Sequence, residues 1–151
     1  MACDQKAYWV ALSRVSGLGA ARIQQLQQRF GSVERAWSAS ATEILFAGLP
    51  RPVADEMLQA RKTIDPGHEL AILERNGVDV LTLDDPLYPD SLRSISSPPP
   101  VLYIRGSLEP RDALAIAVVG TRKATRYGLE ATRRIVSGLA TSGVTVVSGL
   151  A

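Results

Sequence analysis

The chain has one cysteine and one histidine in 151 residues. It can therefore close no internal disulfide, and Cys3 with His68 cannot assemble a zinc ligand set. No stretch approaches the ~18 consecutive apolar residues of a membrane-spanning helix, and Met1 to Lys6 lack the hydrophobic centre of a signal peptide. These absences point to a cytoplasmic protein without structural metal, disulfide framework or membrane anchor. Catalytic equipment is equally thin. No G-x-S-x-G elbow occurs, and His68 precedes a predicted helix with no nucleophile beside it. Asp84 and Asp85 are adjacent, so on a strand they would face opposite ways, which suits a turn or helix cap better than a working carboxylate pair.

A hydrophobic content of 46% permits a real core, and 151 residues suffice for one ordinary domain or two small ones. The net charge of +2 is too small to imply nucleic acid by itself, but its distribution is uneven. Residues 1–66 carry 8 basic and 6 acidic side chains, residues 67–110 carry 3 and 7, and residues 111–151 carry 6 and 2. The basic excess lies at the two ends of the chain, as separate anion-binding surfaces or solvated faces would both give.

Residues 1–66 read as a module of short helices. Tyr8, Val10 and Leu12 mark one, and Ile23, Leu26 and Phe30 a second. Between them lies Val15-Ser16-Gly17-Leu18-Gly19. Gly31 stands at a helix C-terminal position, Ser32 at the N-cap of a third helix holding Val33, Ala36 and Trp37. Ala47-Gly48-Leu49-Pro50 partly repeats the first hairpin and leads into a helix with Val53, Met57, Leu58 and Ala60. Asp65-Pro66-Gly67 breaks the pattern, and the domain boundary is expected there, between 66 and 67. Residues 67–151 change character: a helix from Glu69 to Arg75, a turn at Asn76-Gly77, a strand over Val78–Leu83, a Pro- and Ser-rich stretch with a little helix at Ser91–Ser94, and a strand over Val101–Ile104. The run Leu114–Val119 predicts a strand buried on both faces. A polar loop, a helix from Tyr127 to Ser142, a turn at Gly143 and a strand over Val144–Ser148 follow, the opening of a doubly wound parallel sheet. One such unit cannot cover both faces of a parallel sheet, so the chain is expected to be the front part of a longer domain.

Two places could carry binding chemistry. Gly120-Thr121-Arg122 follows the apolar strand, where open α/β sheets bind ligands. There a glycine admits close backbone approach, a hydroxyl donates to an anionic oxygen and a guanidinium grips a phosphate bidentately. Thr125, Tyr127 and Gly128 sit at the expected helix N-terminus, which favours an anion, and Tyr127 can stack on a base. Ser148-Gly149 repeats the hydroxyl-plus-glycine logic after the next strand. The plainer reading is a chain turn with a solvated arginine. Neither a G-x-G-x-x-G fingerprint nor a Walker A loop is present, so no nicotinamide, flavin or P-loop cofactor is expected. The second place is the hairpin Ser16-Gly17-Leu18-Gly19, which resembles the helix-hairpin-helix motif of non-sequence-specific DNA binders, with Arg14 and Arg22 flanking exposed backbone N–H groups. A protein-interaction module of the SAM-like kind fits it as well. The repeat at Gly48 has Pro50, which offers no N–H, and reads as structural.

Three motifs occur in order. They are Asp85-x-x-Tyr88-Pro89-x-x-Leu92-x-x-Ile95-x-x-Pro98-Pro99-x-x-Leu102-Tyr103-x-x-Gly106, Val118-Val119-Gly120-Thr121-Arg122-x-x-Thr125-x-Tyr127-Gly128, and Val146-Val147-Ser148-Gly149-Leu150-Ala151. Together they resemble the DNA-processing protein A (DprA/Smf) family of natural transformation. The resemblance covers most of residues 67–151 and, more weakly, the helical module. It implies an α/β protein, with a helix-hairpin-helix or SAM-like module followed by the first part of a Rossmann-like parallel-sheet domain. It implies a binder of single-stranded DNA that protects incoming DNA and helps load the recombinase RecA, without turnover, and a homodimer in the full-length protein. By position, Arg122 would contact DNA phosphate, with Gly120, Thr121, Thr125, Tyr127 and Gly128 shaping the pocket and Ser148 and Gly149 on its wall. Two other readings stay open: a Rossmann-like nucleoside-phosphate hydrolase, which needs a carboxylate near the sugar and has only Glu130 to offer, and a helical protein-interaction module fused to an incomplete nucleotide-binding domain.

Overall fold

The computed structural model describes residues 4–149; Cys3, Leu150 and Ala151 lie outside them. Two compact units divide between Gly106 and Ser107. The boundary expected at 66/67 falls inside the first unit, because the helix that follows it packs on the first helix of the chain.

That first helix, α1 (Gln5–Ser13), is capped by Asp4, whose carboxylate accepts from the Lys6 amide at 3.0 Å. It buries Ala7, Trp9, Val10, Ala11 and Leu12, so several of its sides are covered. Helices α2 (Ala20–Phe30) and α3 (Val33–Ser38) follow. The join between them uses the expected chemistry: Gly31 takes a left-handed φ of 81°, and the Ser32 hydroxyl accepts from the Arg35 amide at 3.1 Å. Helix α4 (Ala41–Phe46) was not anticipated, although Ser40-x-x-Glu43 spells a capping box, with both reciprocal bonds formed. Helix α5 (Arg51–Ala60) comes next, and α6 (Pro66–Arg75) opens with Asp65 as cap and Pro66 in its first turn. Asp65-Pro66-Gly67 thus starts a helix as well as breaking a pattern.

The two hairpins pack reciprocally. A Cβ at Gly17 would come within 3.1 Å of Val53 on α5, while one at Gly48 would meet Gln25 on α2 at 2.8 Å. Both glycines have positive φ, 78° and 92°, so backbone conformation and close packing each require them. Gln25 donates to the Ala47 carbonyl at 2.6 Å and ties the second hairpin to α2. Arg61 secures the end of α3, donating to the Ala39 and Ala36 carbonyls at 2.6 and 3.0 Å with its guanidinium 5.8 Å from the Trp37 ring centroid.

The rest of the first unit is an antiparallel ribbon of β1 (Asp79–Thr82) and β2 (Val101–Ile104), with Asp79 opposite Ile104 and α7 (Asp90–Arg93) in the connection. The long Pro- and Ser-rich connection is held from inside. Tyr88 is buried, and its hydroxyl donates to the Pro99 carbonyl at 2.8 Å. Arg93 stacks over the Tyr88 ring and donates to the carbonyls of Leu83, Asp85 and Tyr88. Asp85 pairs with the Lys6 ammonium at 2.9 Å, and Lys6 also donates to the Val80 carbonyl at 2.9 Å.

In the second unit, β3 (Ala115–Ala117) and β4 (Thr145–Val147) pair in parallel, with α8 (Arg126–Thr141) as the crossover. A 3₁₀ turn at Pro110–Ala113 precedes them, and Asp112 in it accepts from the Glu109 amide at 2.8 Å and the Thr145 hydroxyl at 2.9 Å. The order strand, loop, helix, strand is the expected one. The expected burial of β3 on both faces is not found. All three of its residues are exposed, Ile116 by 45%, because among the described residues the sheet has two strands and one helix to cover it. Among the described residues β1 and β2 form a sheet of their own.

Replacing Arg93 by Ala removes three hydrogen bonds, leaving the Leu83 and Tyr88 carbonyls without a donor among the described residues while that of Asp85 keeps the Tyr88 amide. It should lower the unfolding free energy of the first unit by about 1–3 kcal/mol, read from urea midpoints. The Lys6 ammonium, bonded to the Asp85 carboxylate, holds its pKa below the usual value. A depressed folded pKa gives stability that is present above the unfolded value of about 3.9 and lost as pH falls through the folded one. Asp85→Asn should therefore be less stable than the native chain near neutrality and lose less on acidification below about pH 4, checked by urea unfolding across that range.

Candidate nucleic-acid interface

Parallel pairing brings the ends of β3 and β4 out on the same side. The Val118 amide still donates to the Val147 carbonyl at 2.8 Å, so the strands stay joined to the start of both exit loops. Gly120-Thr121-Arg122 and Ser148-Gly149 therefore leave the sheet side by side. The first turn of α8 belongs to the same end, since the loop from Gly120 leads into it.

The local geometry fixes what each group is free to do. Thr125 is the N-cap of α8, and its hydroxyl oxygen accepts from the Gly128 amide at 3.1 Å. The Gly128 N–H is thereby engaged, while the Arg126 and Tyr127 amides have no partner among the described residues. The Thr121 oxygen accepts from the Lys123 amide at 3.2 Å in a tight turn, leaving its O–H as a donor. The Ser148 hydroxyl lies 3.5 Å from the Gly149 carbonyl, too long to hold it. Gly120 and Gly149 have ordinary backbone angles, and a Cβ at either would meet nothing within 4 Å. Arg122 is exposed, and Tyr127 is 83% exposed.

Four cations that motif reading passed over belong to this unit: Lys123, Arg126, Arg133 and Arg134. Together with Arg122 they are exposed and make no ion pair or side-chain hydrogen bond among the described residues. The +4 excess in residues 111–151 was the available signal, and helical spacing would have located it. Glu130 is exposed on the same helix, whereas Gly128, Ala131, Val136 and Leu139 form its half-buried side.

The hairpin differs. Arg14 pairs with Glu69, and Arg22 turns back to donate to the Gly17 carbonyl, so both flanking charges are engaged. Gly19 caps α2 in extended backbone with open space around it. Pro50 and Pro52 remove two N–H groups from the second hairpin and the start of α5. Among the described residues no group of three or more metal-ligating side chains gathers, and no helix is long and apolar enough to cross a membrane.

Comparison with known proteins agrees with the motifs that line these loops. The family model described as DNA recombination-mediator protein A matches residues 79–151. The Smf protein of Synechocystis is 37% identical over 156 residues, covering all of this chain and 39% of that protein. The chain belongs to the DprA/Smf family. A DNA processing protein DprA of Bacillus subtilis is 32% identical over 83 residues, 54% of this chain and 28% of its own length. A putative DNA processing protein DprA of Mycobacterium tuberculosis is 32% identical over 158 residues, 93% of this chain and 38% of its own. The chain thus spans less than two fifths of each of these relatives. In this DprA/Smf chain the first motif, from Asp85 to Gly106, serves mainly to build the first unit, and the second and third supply the paired loops.

Thr125→Ala removes the cap of α8 and should destabilise the second unit by about 1 kcal/mol, with Thr125→Ser retaining most of the bond. Faster amide exchange at Gly128 in the alanine variant alone would confirm the cap.

Proposed function

We propose that this chain binds single-stranded DNA through the paired loops Gly120–Gly128 and Ser148-Gly149, as part of a cytoplasmic, non-catalytic DNA-processing protein of the natural-transformation type. In the full-length protein, a homodimer, the bound strand is protected and passed to RecA. The second unit is read as the first part of a Rossmann-like domain. The observation that carries the reading is the convergence of two glycine-containing strand exits beside Arg122, Lys123 and Arg126, cations with no carboxylate to neutralise them. Gly120 and Gly149 add to it, since neither backbone angle nor packing among the described residues asks for glycine there. The relatives' names, DNA processing and DNA recombination mediation, point the same way.

Arg122 provides a bidentate phosphate grip, Thr121 and Ser148 provide hydroxyl donors, and Tyr127 offers a ring for base stacking. Thr125 and Gly128 act indirectly, by fixing the first turn of α8. Such binding is dominated by backbone charge and weakens steeply with salt. A hydrolase would need a carboxylate in the crevice, and Glu130 on the exposed side of α8 argues against that role. For the helical module, the engagement of Arg14 and Arg22 favours protein interaction over DNA contact through Gly17, Gly19 and Arg22.

Fluorescence anisotropy of the full-length protein with a labelled oligothymidine tests the reading. Arg122→Ala should weaken binding roughly ten- to a hundredfold, the worth of a lost hydrogen bond to a charged group. Unchanged affinity would remove Arg122, and with it this pocket, from the site.

A further inference from the structure

We infer that the outer face of α8 is a second stretch of the same binding surface, carrying single-stranded DNA onward from the loops, with Glu130 as a built-in brake on affinity. This rests on the proposed function and extends it to Glu130, Arg133 and Arg134, which no motif covers.

The inference starts from the period of the helix. At about 100° per residue, positions seven apart lie nearly in line and about 10 Å apart along the axis. Arg126 and Arg133 form one such row, and Tyr127 and Arg134 form a second beside it. All four are exposed, and the two rows lie away from the half-buried positions Gly128, Ala131, Val136 and Leu139. Cations along a track with an aromatic ring at its head make up the surface that single-stranded nucleic acid uses, phosphates on the charges and bases on the ring. The rows begin at the N-terminus of α8, where the Gly120 loop ends, so the track is continuous in sequence with the loop site.

Glu130 lies between the rows, four residues after Arg126, three before Arg133 and four before Arg134. These are spacings at which helical charges of opposite sign meet. It forms no ion pair within 4 Å with any of them. The three arginines are therefore not neutralised locally, and the carboxylate stands where a phosphate backbone would pass. It repels that backbone and lowers affinity without blocking the path.

Anisotropy of the full-length protein with labelled oligothymidines of about 4 and about 16 nucleotides, the range of site sizes in single-strand binding folds, tests this directly. Arg133→Ala and Arg134→Ala should each weaken the long oligonucleotide roughly three- to tenfold and reduce its salt slope by about 0.7, the share of one phosphate on a single strand. Neither should affect the short one. Arg133→Lys should keep most of the binding, and Glu130→Gln should tighten the long oligonucleotide alone. Unchanged long-oligonucleotide binding in both alanine variants, with Arg122→Ala still impaired, would overturn the track and leave the loop site standing. Loss in Arg133→Ala with Arg122→Ala unaffected would uphold the track and sink the loop site. Equal losses on duplex DNA of the same length would overturn the single-strand assignment, and weaker binding by Glu130→Gln would overturn the brake.

Discussion

Two parallel strands joined by a helix must deliver their C-terminal ends to one side, and everything proposed for this protein depends on that constraint. The bond from the Val118 amide to the Val147 carbonyl holds β3 and β4 together up to the point where both loops depart. The loop after β3 also leads into α8, so the helix N-terminus joins the same end. Topology thus gathers Gly120, Thr121, Arg122, the first turn of α8, Ser148 and Gly149 before any side-chain chemistry is considered. The sequence then determines what the gathered groups offer: open glycines, free hydroxyl donors and cations without counter-charges.

The first unit obeys a different constraint, the burial of α1. Its apolar residues are packed by α3 and α6 and by the β1–β2 ribbon, so a helix near the start of the chain organises elements as far away as Ile104. Lys6 closes this arrangement, since one ammonium serves both the Val80 carbonyl and the Asp85 carboxylate. The first of the three motifs, from Asp85 through Tyr88 and Pro89, is therefore part of a scaffold. Tyr88 is buried and Arg93 is spread over three carbonyls, so neither is available to a ligand. A motif can mark a family and still serve chiefly to hold the fold together.

Local chemistry was legible from the residues alone. Gly31, Ser32, Asn76-Gly77 and Gly143 end or begin elements through backbone preferences that act over a few residues, and the chain follows them. Helix α4 was legible too, in Ser40 and Glu43, but its single buried residue, Ile44, gives no periodic pattern to look for. The burial of β3 could not be read, because an apolar run records what a strand tolerates and not how many neighbours it has. The Arg61 contacts with α3 were equally hidden, since they join carbonyls 22 and 25 residues away in sequence. At the candidate site the loop motif contains Arg122 but not Arg133 and Arg134, which only the helical period places on one face with Arg126 and Tyr127.

This last point bears on how charge should be counted. The first unit contains more basic side chains than the second, yet Lys6, Arg14 and Arg93 are paired with Asp85, Glu69 and Asp90. In the second unit Arg122, Lys123, Arg126, Arg133 and Arg134 are committed to nothing among the described residues. A cation already bonded to a carboxylate contributes little to the field a phosphate would feel, because the pair is nearly neutral at any distance larger than its own separation. An unpaired one contributes its full charge. The small net charge of the chain therefore understates the potential around α8 and the Gly120 loop, and the asymmetry that matters is between structural and available cations.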